Sequence, residues 1–158
     1  MAGAGDFDFW LGEWKVSWQD ADGAAEGRNT IEKRFGGHVV QERFDGRPGV
    51  DLVGMSVSAY DAHRDTWLQT WVDDAGSYFH LEGRFEDGVM TLHCDRHTHE
   101  VQELRYRMRF ADIEPDSFTW TWERSEDGGT SWQLQWQLSY ERLGAPAAEP
   151  AATAAASG

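Results

Sequence analysis

The feature that constrains this chain most is strict alternation of side-chain character. From Trp132 to Tyr140 every second residue is large and apolar (Trp132, Leu134, Trp136, Leu138, Tyr140), and Gln133, Gln135, Gln137 and Ser139 lie between them. A period of two sorts such a set onto the two faces of a strand, whereas a helix would scatter it around its circumference. The same alternation recurs at Trp14, Val16 and Trp18, at Leu104, Tyr106, Met108 and Phe110, and at Phe118, Trp120 and Trp122. Turn chemistry separates the runs, as at Ala21-Asp-Gly23, Gly36-Gly37, Asp45-Gly46-Arg-Pro48-Gly49, Asp87-Gly88 and Glu126-Asp-Gly-Gly129. These breaks predict ten strands, over 12–19, 25–36, 38–45, 51–60, 66–73, 78–86, 88–95, 101–111, 116–125 and 130–142. One short helical turn is predicted at 6–11, with Asp6 as its cap.

Short links between successive strands make an antiparallel meander. Strands of this length with one apolar face suit closure, so the expected fold is all-β, an antiparallel up-and-down β-barrel of about ten strands. Closure also removes the edges at which Trp-rich strands would pair with other chains. Residues 6–143 are expected to form this single domain, with 1–5 a flexible N-terminus and 144–158, rich in Ala and holding Pro146 and Pro150, a disordered tail.

Charge and composition exclude several partners. Lys and Arg number 14 against 28 Asp and Glu, a net charge of −14 that offers nothing to a phosphate backbone or an anionic membrane surface. No run of about 18 apolar residues exists to span a membrane, and no basic stretch followed by an apolar one opens the chain as a secretory signal would. The single cysteine, Cys94, excludes an internal disulfide and, with no signal visible, points to the cytoplasm. The oligomeric state stays open between a monomer and a homodimer.

The opening Asp6-Phe-Asp-Phe-Trp-Leu-Gly12-Glu-Trp14 resembles the start of lipocalin-like proteins of the calycin superfamily. Tyr60-Asp61, Thr70-Trp-Val-Asp73, Asp116-Ser-Phe-Thr-Trp120 and the ending Tyr140-Glu-Arg142 are similar to a bacterial calycin-like family of unassigned function. The resemblance implies that Trp14 lies across one closed barrel end with a basic residue of the last strand, here Arg142, packed on it. Strand parity agrees, because in a ten-stranded meander the start of the first strand and the end of the tenth share a pole. The heme-binding relatives rely on a histidine near the last strand, and this chain has none after His99. No cofactor is expected.

The opposite pole is then the mouth. Parity places Trp18, Asn29, Arg43, Met55, Trp71, Asp73, Phe79, Cys94, Tyr106, Trp122, Arg124 and Trp132 facing inward near it, with Gln69, Leu81, Met108, Trp120 and Trp136 deeper. Aromatic walls with a few convergent polar groups describe a small-molecule pocket. The expected ligand-binding residues are Arg43, Met55, Gln69, Trp71, Phe79, Tyr106, Met108, Trp120 and Trp122, with Arg43 and Gln69 orienting a small, largely apolar ligand and Asp73 pairing with Arg124 at the mouth. A cofactor-free enzyme of cyclase or isomerase type using the same pocket is the alternative, and a barrel filled by its own side chains is a third reading. His93, Cys94, His97 and His99 are not expected to hold a metal: His93 and Cys94 face opposite sides of a strand, and the spacing matches no closed zinc site.

Overall fold

Over residues 3–94 and 104–146, which the computed structural model describes, the alternating runs become ten strands that close on themselves. They are β1 (Gly12–Asp20), β2 (Gly23–Arg34), β3 (Val39–Asp45), β4 (Val53–Asp61), β5 (Thr66–Asp73), β6 (Tyr78–Glu86), β7 (Val89–Cys94), β8 (Arg105–Glu114), β9 (Ser117–Ser125) and β10 (Gln133–Gly144). Each strand pairs antiparallel with its neighbours in sequence, and β1 closes the barrel against β10. The pattern predicts most strand limits to within about two residues. The larger differences are β8, which runs to Glu114 and whose predicted 101–103 lie outside the described residues, and β10, which starts at Gln133. β10 also runs on to Gly144, paired with Glu13, so the domain includes a residue expected to open the tail. Among the described residues no helix is long and apolar enough to cross a membrane.

The predicted helical turn exists as a 3-10 turn, Asp8–Trp10, but Asp6 does not cap it. The Asp6 carboxylate instead accepts the Gly3 amide at 2.8 Å, and the Gly5 carbonyl accepts the Asp8 amide. This turn tucks Phe7 and Trp10 into one end of the barrel, where Phe7 meets Trp67 edge-on at 4.9 Å and Phe110 at 5.4 Å. Trp14 is fully buried beside them and donates its indole N–H to the Trp10 carbonyl at 2.8 Å.

Arg142 stands directly opposite Trp14 in the β1–β10 register, with its guanidinium 4.2 Å from the indole ring centroid. It donates to the carbonyls of Leu11 at 2.6 Å, Phe9 at 3.2 Å and Pro115 at 3.0 Å. A Cβ on Gly12, whose φ is +124°, would stand 2.5 Å from Arg142 Nη1, so the approach needs a glycine there. One cation thus ties the N-terminal turn, the first strand and the last hairpin together.

β10 departs from the clean alternation of its sequence. The register slips between Leu134 and Trp136, so Trp136, Leu138 and Tyr140 face inward while Leu134 pairs with Glu123 and is 56% exposed. An extra residue in one strand reverses the face of everything before it. Trp132 accordingly lies outside the barrel, under the Arg107 guanidinium at 4.0 Å from the ring, where Arg107 also pairs with Glu123 at 3.0 Å.

Candidate functional site

Directly paired residues of neighbouring antiparallel strands share a face, so the ladder fixes which side chains enter the barrel. On β3 the inward set is Val40, Glu42 and Phe44, all buried, and Arg43 points outward with its side chain 60% exposed, pairing with Glu32 at 3.4 Å. On β4, Ser56 pairs with Glu42 and Ser58 with Gln69, which puts Gly54, Ser56 and Ser58 inward. Met55 pairs with Arg43 and Val72 and is turned out with them. Arg43 and Met55, expected in the pocket, therefore line a separate depression of about 480 Å³ near the ends of β3–β5. The reason is volume: Phe44 and Trp71 fill the interior beside β4, leaving room only for small residues on its inner face. A Cβ on Gly54 would overlap the six-membered ring of the Trp71 indole.

What remains inside is an aromatic cavity of about 170 Å³. Five expected residues line it, namely Trp71, Phe79, Met108, Trp120 and Trp122. Trp136 meets Trp120 edge-on at 5.9 Å and Phe44 at 6.3 Å, giving the wall its corner. Tyr106 stacks on Trp122 at 5.4 Å without reaching the cavity wall. Gln69 is buried and donates to Ser58 Oγ at 2.9 Å, away from the cavity lining. The cavity extends from Leu52 and Asp73 at the mouth to Trp10 and Tyr140 on the plugged side.

Glu42, a polar group on the cavity wall, is one the alternation hides. Its carboxyl accepts the Asn29 amide at 2.7 Å and the Ser56 hydroxyl at 2.7 Å, and Asn29 also donates to the Tyr140 hydroxyl at 2.9 Å. Burial pushes the Glu42 carboxyl above its ordinary range, and the bonds from Asn29 and Ser56 only partly offset this. Burial, and then the charge of Glu42, push the Tyr140 hydroxyl well up, so it keeps its proton. The signal for Glu42 was present: Val40, Glu42 and Phe44 share one phase with two apolar members, but Arg43 with Met55 and Val57 offers an equally good pattern.

At the mouth, burial pushes the Asp73 carboxyl up, but bonds from the Trp71 indole and the Ser77 and Ala75 amides outweigh it and hold Asp73 below the ordinary value. The expected Asp73–Arg124 pair does not form; Arg124 pairs with Glu126 at 3.1 Å. His93 is exposed and Cys94 buried, on opposite faces of β7, while His97 and His99 lie outside the described residues. Among the described residues no group of three or more His, Cys, Asp and Glu is arranged to hold a metal.

Fold and site together define a closed antiparallel barrel with an aromatic interior and, among the described residues, one buried carboxyl group. Residues 7–142 match the family DUF1579, a protein of unknown function, and the chain belongs to that family. No curated protein matches it. Among solved structures it is similar to a redesigned beta barrel, at 11% identity and a TM-score of 0.46, covering 90% of this chain and 98% of the other. It is also similar to EF1p2_mFAP2b bound to DFHBI, at 10% identity and a TM-score of 0.38, covering 88% and 98%.

Proposed function

We propose that the protein is a binding barrel of the lipocalin-like kind, taking a small, largely apolar molecule between Trp71, Trp120, Trp122 and Trp136. The observation that carries this reading is the cavity itself: five indoles (Trp10, Trp71, Trp120, Trp122 and Trp136) and three phenyl rings (Phe44, Phe79 and Phe110) line a void of about 170 Å³. An apolar cavity of about 150 Å³ is enough to hold a benzene-sized molecule. Burying such a ligand gains about 25 cal/mol for each Å² of apolar surface covered, less the cost of immobilising it. The Gly12-x-Trp14 opening and the Arg142 guanidinium over Trp14 support the lipocalin-like placement. Titrating intrinsic tryptophan emission with indane tests the reading: saturable change at micromolar to millimolar concentration supports it, and a flat response up to the solubility limit contradicts it.

A second reading, a cofactor-free isomerase or cyclase, draws on Glu42 and Tyr140. A carboxyl pushed up by burial, on the wall of an apolar cavity, is a group suited to moving a proton. Turnover lost in Glu42→Gln with ligand affinity kept would favour the enzyme over the binder.

A further inference from the structure

Every group that can carry charge on the cavity wall is an acid: Glu42, Asp73 and Tyr140, with no Lys, Arg or His among the described lining residues. Of the two cations expected inside, Arg43 faces out, and Arg124 keeps the inward phase near the mouth, paired with Glu126 and off the cavity lining. Glu42 is 7% exposed, and the hydrogen bonds it receives come from two neutral donors, Asn29 and Ser56. A carboxylate has about four lone-pair sites, so each of its oxygens can accept one more donor. No cation of the described chain pairs with it.

We infer that the cavity takes an apolar amine, whose ammonium group pairs with Glu42 while its hydrocarbon body lies against the tryptophan walls. This rests on the binding-barrel reading and sharpens it to one ligand chemistry. Three features of the molecule converge on a cation. A buried acid whose hydrogen-bond donors are all neutral gains most from an opposite charge brought by the ligand. The faces of Trp71, Trp120, Trp122 and Trp136 carry the negative side of the indole quadrupole, which attracts ammonium groups. The Asp73 carboxylate at the mouth and the net charge of −14 draw cations toward the entrance. A carboxylate ligand meets the opposite situation, since it would bring a second negative charge beside Glu42 with no positive group among the described lining residues to receive it. Neutral acceptors are the remaining competitor, because the Trp10 indole N–H is buried with no acceptor and the Tyr140 hydroxyl lines the same cavity.

Calorimetric titration of the full chain at neutral pH with four compounds of one skeleton separates these cases: indane, 1-aminoindane, 1-indanone and indane-1-carboxylate. The amine should bind about tenfold tighter than the hydrocarbon, a difference of about 1.4 kcal/mol, and the carboxylate should bind weakest. In Glu42→Gln, which keeps the shape and the Asn29 and Ser56 partners, the advantage of the amine should vanish and indane binding should persist. Equal binding of all four, tightest binding of the ketone, or an amine preference that survives Glu42→Gln overturns the inference while leaving the pocket intact. Absence of binding by all four overturns the pocket reading with it. The ranking is read on the unaltered protein, so it decides the matter even if the variant fails to fold.

Discussion

Glu42 shows how much one side chain's surroundings determine here. It sits among Asn29, Ser56 and Tyr140, and burial pushes its carboxyl above the ordinary value of 4.5. The sign of the linkage follows. Below 4.5 folded and unfolded chains both hold the proton; as pH rises the unfolded chain releases it first, so the folded state loses stability until its own higher pKa is passed. The loss reaches at most about 1.4 kcal/mol per pH unit. Urea midpoints measured from pH 4.5 upward should therefore fall more steeply for the native protein than for Glu42→Gln; parallel curves would mean Glu42 titrates normally. Asp45 and Asp127, both held at about 2 by hydrogen bonds chiefly from Arg47 and Ser131, act with the opposite sign and below that window: their contribution is present above about 3.8 and lost as pH falls toward 2. Gly54 belongs to the same scale. Its alanine variant must push the Trp71 indole inward, costing about 1–3 kcal/mol by overpacking and narrowing the cavity. A Gly54→Ala protein as stable as the native one, with unchanged indane affinity, would show that Trp71 has room elsewhere.

At the scale of elements, the legible and the hidden parts of the chain separate by residue size. Where a strand carries Trp or Phe at every second position, as β9 does at Phe118, Trp120 and Trp122, the buried face is unambiguous because nothing but the interior can hold them. β4 offers Val53, Met55 and Val57 on one face and Gly54, Ser56 and Ser58 on the other, and the apolar face is the one turned out. That choice belongs to β3 and β5, whose Phe44 and Trp71 use the space, and no local pattern in β4 reports it. The slip in β10 is hidden for a related reason, since Gln133, Gln135 and Gln137 look alike in either phase. The contact of Trp14 with Arg142 was expected from the resemblance to lipocalin-like proteins, and strand parity agreed with it by putting the start of β1 and the end of β10 at one pole. Trp14→Ala should cost about 3–5 kcal/mol, since it empties the closed end. Arg142→Met should cost about 2 kcal/mol by freeing the carbonyls of Phe9, Leu11 and Pro115. Denaturant unfolding checks both, and indane affinity should stay within twofold in Arg142→Met because the cavity lies beyond the plug; a stable Arg142→Met protein that loses binding would reverse the assigned polarity.

The described residues form a closed ladder in which every strand has two partners, so none of these strands leaves an unpaired edge to compete with the interior for the aromatic side chains. Closure follows from the number and spacing of the alternating runs, and ten strands enclose more room than eight, within which the cavity lies. The chain after residue 146 adds little apolar surface, and its removal should leave the melting temperature within about one degree; a drop of several degrees would show that it docks. The central claim, that the void among the indoles is a binding site, is tested most directly by the tryptophan side chains themselves. Each of the 9 tryptophans carries one indole N–H that a nitrogen-15 correlation spectrum can follow, assigned by single substitutions. On titration with indane, the signals of Trp71, Trp120, Trp122 and Trp136 should shift together and saturate, while Trp14 under Arg142 and Trp132 under Arg107 stay fixed. Shifts confined to Trp132, or no shift at any of them, would contradict the account.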